Sequence, residues 1–261
     1  YERFAYVQDD ESYFDMQDRR EVSRQTFNAL FRHIKCMSIH APTTKVEASI
    51  CFDQNRQTMG AKALVGITYA AGETVLVARD GDLYGNRWRD ARPDVSSVVA
   101  SDSGVAPWLA HCRELVPEPE ELDHLLNIMA CKVQHPQIKI NHAVLHGGDE
   151  GSGKDTMWAP LKEPDAASRR QLANQLKPII AAPPEMLPIN RKGLHPYQMA
   201  NRLFVLAFSN DPVPISLASQ DRRWFCVWSA APRMDSVAAQ KLWTWYRAGG
   251  FECIAAWLHA R

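Results

Sequence analysis

The sequence predicts an α/β protein, a phosphate-loop nucleotide-binding core preceded by a small α+β element. Residues 148–156 read Gly-Asp-Glu-Gly-Ser-Gly-Lys-Asp-Thr and fit the pattern G-x-x-x-x-G-K. The run from Ile138 to Leu145 stands just before them and reads as the strand that feeds such a loop. A second, almost continuously apolar run from Arg202 to Ser209 reads as a strand of the kind covered on both faces in parallel sheets.

The glycine loop carries the most specific chemistry. Glycines let successive backbone N–H groups curl around a phosphate chain, so Gly148, Gly151, Ser152 and Gly153 form the expected cradle. Lys154 is placed to reach the β- and γ-phosphates. Asp155 and Thr156 open the helix that follows, whose positive end faces the same anion. The pattern asks for Ser or Thr after the lysine, on the Mg²⁺ side. This chain has Asp155 there and Thr156 one place on, so both are candidate metal-side residues. ATP or another nucleoside triphosphate, with Mg²⁺, is the implied ligand pair.

Composition narrows the class. The chain has 261 residues, 46% of them apolar and 23% charged, the ordinary balance of a globular protein with ample core. Thirty basic residues offset thirty acidic ones, so any basic surface for nucleic acid must be local. Six cysteines form no C-x-x-C pair, which favours a reduced, cytoplasmic chain and argues against zinc. His111 and Cys112 are adjacent but lack further ligands at metal-site spacing and read as packing residues. No run of 18 apolar residues suggests a membrane span or partner. The chain opens on Tyr-Glu-Arg-Phe, not Met, and is expected to be a piece of something longer without a signal peptide.

The remaining elements follow in order. Residues 3–16 read as a hairpin around Gln8-Asp9-Asp10-Glu11. Ser23 is an N-cap candidate for a helix to Ile34 with Phe27, Leu30, Phe31 and Ile34 on one stripe. Residues 46–80 read as strand-rich and 81–107 as loop. Helices are expected over Trp108–Glu114 and over Glu120–Cys131, the latter with Pro119 before its start. After the loop come a helix over 167–177, a proline-rich stretch, a turn at Arg191-Lys-Gly193, a strand over 221–228, and closing helices over 238–246 and 252–258. The expected division is an N-terminal region, 1–105, and an ATPase domain, 106–261.

One expected part is missing. A phosphate-loop hydrolase needs a second apolar strand ending in Asp or Glu to hold Mg²⁺. None is visible between Thr156 and Arg202. Pro160 also cuts the post-loop helix short, where proline costs roughly 3 kcal/mol. Together these point to a segment missing from the numbering between Trp158 and Ser168. Unbroken Cα spacing of about 3.8 Å there would refute that reading.

From about Gly147 the order of signals resembles the superfamily-3 helicases of phages and plasmids, an AAA+-like phosphate-loop fold. It resembles most closely the helicase module of primase–helicase (primase–polymerase) proteins. The carrying segments are 147–156, 169–201 and 203–228, about a quarter of the chain. The resemblance implies a helicase or translocase, driven by nucleoside triphosphate and acting on single-stranded DNA in DNA replication. It implies a homo-oligomeric, hexameric ring and a primase–polymerase region N-terminal to this chain. Lys154 becomes the phosphate-loop lysine, and Asn210 the sensor that polarises the attacking water. Arg222 or Arg223, 12 and 13 residues later, becomes an arginine finger inserted into a neighbour's site. Glu163 is a weak stand-in for the missing acid. Arg191, Lys192 and His195 become the channel hairpin that grips DNA phosphates.

Each assignment has a plainer reading. Asn210 also suits a cap on the turn before Asp211-Pro212, and the arginine pair suits a solvated face. Lys192 and His195 also suit an ordinary turn, and the tryptophans of the C-terminal half suit core or interface packing. At the level of function, a small-molecule kinase and a non-catalytic nucleotide-dependent DNA-binding or loader module are the alternatives.

Overall fold

The structure is a computed structural model. It describes residues 2–56, 62–161, 180, 186–189, 197–212 and 221–261. The chain divides into two compact units, Tyr1–Asp90 with Met186–Ala200, and Ala91–Glu185 with Asn201–Arg261. The boundary expected near residue 105 lies inside the second unit. Both units mix helices with strands, and parallel strand pairs occur in each.

In the first unit, strands β1 (Phe4–Val7), β2 (Ser12–Asp15), β3 (Arg20–Val22) and β4 (Ala63–Leu64) form a sheet in the order β3-β2-β1-β4. The expected hairpin is there, with Val7 opposite Ser12. Alternation along the strands sends Phe4 and Tyr13 to one face and Ala5, Val7 and Phe14 to the other. The first face packs on helices α1 (Arg24–Leu30) and α2 (Ala48–Asn55) through Phe27, stacked on Tyr13 at 4.0 Å, and Phe52. Burial and the nearby Asp53 push the Tyr13 hydroxyl up to about 12. Ser23 caps α1 by accepting from the Thr26 N–H at 3.2 Å. The fully buried Asp15 carboxylate takes a bidentate pair from Arg3 at 2.6 and 2.5 Å. Burial acts to raise its pKa, but this pair and the Gln17 and Asp18 N–H groups outweigh that and hold it low.

Two expectations are corrected here. The first helix stops at Leu30, and Leu30 and Ile34 are exposed at 41% and 45%, so only Phe27 of the expected stripe is buried in it. Residues 48–55, expected as part of a strand-rich stretch, are α2, because Ala48 and Phe52 at i and i+4 close the aromatic core. A second sheet joins β5 (Gly66–Thr68), β6 (Leu76–Arg79) and β7 (Asp82–Asn86) in the order β5-β7-β6. Strand β7 lies in the run expected as loop. Its Asn86 side chain accepts from the Ala70 and Trp88 N–H groups and donates to the carbonyls of Ala70, Glu73 and Thr74. The antiparallel strands β8 (Met186–Ile189) and β9 (Tyr197–Ala200) belong to this unit.

The second unit holds α3 (Ala106–Leu115), α4 (Pro119–Gln134) and strands β10 (Ala143–Gly148), β11 (Leu206–Ser209) and β12 (Trp224–Ser229). Strand β10 sits between β11 and β12, parallel to both. It is buried along its whole length, as a central parallel strand should be. It begins at Ala143, not Ile138, and β11 begins at Leu206 and is half-buried, as suits an edge strand. Helix α5 (Lys154–Met157) is a single turn followed by a 3-10 turn, Ala159–Leu161, so the helix stops before Pro160 as expected. Helices α6 (Ser236–Trp245) and α7 (Phe251–Ala260) close the unit over Trp108, Met129 and Trp158.

The helix expected over 167–177 and Glu163 lie outside the described residues, as do the junctions from Lys162 to Ser168. Leu161, the last residue described before them, donates its N–H to the Trp158 carbonyl at 3.0 Å. Among the described residues no strand stands between α5 and β8.

Candidate functional site

The glycine loop forms where β10 ends. Gly148 has φ +145, and a Cβ there would meet the Ser229 carbonyl oxygen at 2.8 Å. Gly153 opens α5 at φ +92, with His111 at 2.6 Å from any Cβ. No other residue fits these two positions without strain. His111 Nε2 lies 3.0 Å from the Gly153 carbonyl oxygen, Trp108 donates to the Met157 carbonyl at 3.0 Å, and Tyr246 donates to that of Thr156 at 2.8 Å. The loop and its one-turn helix are thus tied to α3 and to the end of α6. His111 and Cys112 are buried packing residues, as expected.

Lys154 is 5% exposed. Its Nζ donates to the carbonyls of Gly148 and Asp149 at 2.7 and 2.8 Å and to Asn210 Oδ1 at 3.0 Å. Burial lowers its pKa; Asp155, Asp149 and Glu150 oppose that. Asn210 follows β11 directly, so parallel pairing of β10 and β11 delivers lysine and asparagine to the same end of the sheet. They line one open cavity of about 950 Å³ together with Ser152, Asp155 and Thr156. Ser152 Oγ is buried without a partner among the described residues. His146, inside β10, is fully buried; its Nδ1 accepts from Trp158 Nε1 at 3.0 Å. Burial, with Lys154 adding to it, pulls this imidazole down to about 4.

The sequence did not mark Arg233, Met234 and Asp235. They follow β12 and form the far lip of the cavity. The Met234 N–H donates to the Gly151 carbonyl at 2.9 Å, and the Arg233 side chain lies against Gly151. Asp235 caps α6, accepting from the Val237 and Ala238 N–H groups. Only a parallel return of β12 beside β10 brings them there, and no local pattern encodes that return.

Arg222 and Arg223 lie elsewhere. They precede β12, so they stand at the end of the sheet opposite the loop. Register sets Trp224 beside Ala143 and Ser229 beside Gly148, a run of about 17 Å at roughly 3.3 Å per residue. Neither arginine serves the Lys154 cavity of its own chain. Arg223 is bound in a two-point pair to Asp221 at 2.7 and 2.7 Å, while Arg222 is exposed with no ion pair among the described residues. Arg191, Lys192 and His195 fall outside the described residues; β8 and β9 bracket them, with Ile189 opposite Tyr197. Among the described residues no group of three His, Cys, Asp or Glu side chains is arranged to hold a metal, and no helix is long and apolar enough to cross a membrane.

No family model matches the chain, and no curated protein matches it in sequence. Solved structures do match in fold. The apo structure of the NrS-1 C-terminal region (305–718) superposes with a TM-score of 0.70 at 15% identity, over 99% of this chain and 66% of that one. Two A-form apo structures of the same region give TM-scores of 0.68 and 0.70, also at 15% identity, over 97% and 99% of this chain and 66% and 65% of theirs. The chain thus spans slightly less than two thirds of the length of those structures. At this identity the likeness establishes a shared mixed α/β fold.

Proposed function

We propose that this chain is the motor part of a DNA-replication protein: a nucleoside-triphosphate hydrolase that moves on single-stranded DNA as a ring whose subunits share active sites. The observation that carries the reading is Lys154 Nζ held at 3.0 Å from Asn210 Oδ1 at the mouth of the glycine-loop cavity. A phosphate-binding lysine beside a polar side chain at the next strand's end fits in-line attack, in which one group offsets phosphate charge and another orients the water. The superfamily-3 resemblance of residues 147–228 and the fold shared with the NrS-1 C-terminal region support the same reading.

The cradle fits a triphosphate. The carbonyls of Gly148 and Asp149 hold Lys154 where phosphate oxygens can replace them, and the unpartnered Ser152 hydroxyl faces the same loop. Lys154 then neutralises charge on the β/γ bridge while Asn210, released from it, orients the attacking water. Asp155 or Thr156 would hold Mg²⁺, which when bound offsets phosphate charge. Arg222, at the opposite end of the sheet, completes a neighbour's site and not its own. Arg223 is the structural partner of Asp221. Arg191, Lys192 and His195 grip the strand.

The absence of an acidic strand among the described residues favours the alternative of a nucleotide-dependent DNA-binding or loader module. Steady-state hydrolysis of Mg-ATP with and without oligo-dT separates the two. Stimulated turnover that falls about 100-fold or more in Lys154→Ala supports the motor. Nucleotide binding without turnover in the wild type overturns it.

A further inference from the structure

We infer that the first unit carries a second nucleic-acid site, a basic groove between α1 and the loop 36–46 that takes the backbone of a single strand. It needs no nucleotide and does not rest on the phosphate-loop reading, with which it shares only the class of partner.

Charge distribution is the starting point. In a chain of zero net charge, the 25 residues from Val22 to Val46 contain no Asp or Glu but hold Arg24, Arg32, Lys35 and Lys45 with His33 and His40. The fold does not scatter these cations. The Cys36 carbonyl accepts from the Val46 N–H at 3.1 Å, the Thr44 carbonyl from the Ser38 N–H at 3.1 Å, and Met37 bridges to Lys45. That closure returns Lys45 to the segment holding Lys35. Both then line one open groove of about 980 Å³ with Arg24, Arg32 and His33.

Of the acids nearby, Asp53 pairs with Arg24 at 2.9 Å, while Glu47, in the groove lining, accepts from the Asn28 amide at 2.6 Å and sets one negative charge against Arg32, Lys35 and Lys45. Arg32, His33, Lys35 and Lys45 are exposed and have no ion pair among the described residues. A fold that gathers like charges on fixed backbone accepts their repulsion, and a bound polyanion offsets it. Counterion release from phosphates is the usual source of such binding.

The apolar surface in the groove selects among polyanions. Ile34 is 45% exposed and lies beside half-buried Phe31 in the same lining. Unstacked bases present apolar faces to such side chains, whereas a duplex hides them and a polyglutamate chain has no ring faces to offer.

The test is binding of labelled (dT)20 to the full chain without nucleotide, at 50 and 200 mM salt. The charge-reversed pair Lys35→Glu with Lys45→Glu should raise the dissociation constant at least tenfold and flatten its salt dependence. Lys35→Gln with Lys45→Gln, the milder change, should give a smaller rise with an unchanged far-UV circular dichroism spectrum. The charge-matched Lys241→Glu with Arg247→Glu should bind within threefold of wild type. Near-wild-type binding by the reversed pair overturns the proposal. So does equal or tighter binding of a 20-base-pair duplex, or of poly-glutamate, by the wild type.

Discussion

Lys154 lies within hydrogen-bond reach of three oxygens, and only Asn210 supplies one from a side chain. The two side chains therefore separate in kinetics. If Asn210 orients water as proposed, Asn210→Ala should lower kcat about 100-fold while leaving the dissociation constant of Mg-ATP within a few-fold. Equal losses in both would assign it to binding. His146 makes a prediction about stability. Its folded pKa lies near 4, below the unfolded value of 6.5, so the unfolded chain takes the proton first as pH falls. Stability is full above pH 6.5, falls between 6.5 and about 4, and levels off below, for a total of about 3 kcal/mol. Protonation of Nδ1 also breaks the bond from Trp158. Denaturant unfolding across that range should show a shallower acid limb in His146→Asn, which keeps an acceptor near Nδ1 but does not titrate.

At the scale of elements, the loop depends on a backbone that only glycine adopts cheaply. Gly153→Ala places a Cβ 2.6 Å from the His111 ring at a φ of +92. It should cost about 1–3 kcal/mol in equilibrium unfolding and weaken nucleotide binding with it. Helix α4 was legible because Pro119 stands in its first turn, and the β1–β2 hairpin because its aromatic runs alternate around a polar turn. Helix α2 and strand β7 were not legible. Residues 48–55 take helical form because Phe52 must meet Phe27 and Tyr13, and residues 82–86 take extended form because β5 and β6 flank them. Both reasons are tertiary. Asn86 follows from this: as a turn residue it reads as replaceable, yet it is fully buried with five backbone partners. Asn86→Ala should cost about 2–4 kcal/mol, read as a shift in the urea midpoint.

For the whole molecule, the parallel sheet separates the two parts of the proposed shared site. Arg222 stands at one end of β12 and the Lys154 cavity lies beyond the other, so a single chain cannot use both. Lys154→Ala and Arg222→Ala proteins should each be inactive alone. Mixed, they should regain part of the hydrolysis, because intact cavities of one meet intact arginines of the other. Arg222→Ala alone should lose about 1,000-fold. Retained activity in that variant, or no recovery in the mixture, would remove the shared site. The division into units was legible only coarsely. A boundary near 105 was expected, whereas the first unit closes at Asp90 and takes back residues 186–200, a return of chain that local sequence does not announce.

The sequence by itself determined the parts whose physics is local: the glycine loop and its lysine, the capped helices, the hairpin, and the single-turn helix stopped before Pro160. It determined as well that any basic surface had to be local, since the chain is neutral as a whole. Tertiary structure alone decided which of these parts meet. Parallel register put Asn210 on Lys154, brought Arg233 onto Gly151, and carried Arg222 to the far end of the sheet. Closure of residues 36–46 gathered scattered cations into one groove. The physical reason is the same in each case. A backbone conformation is set by neighbours a few residues away, whereas a site is set by strand order and register, which depend on burial across the whole unit.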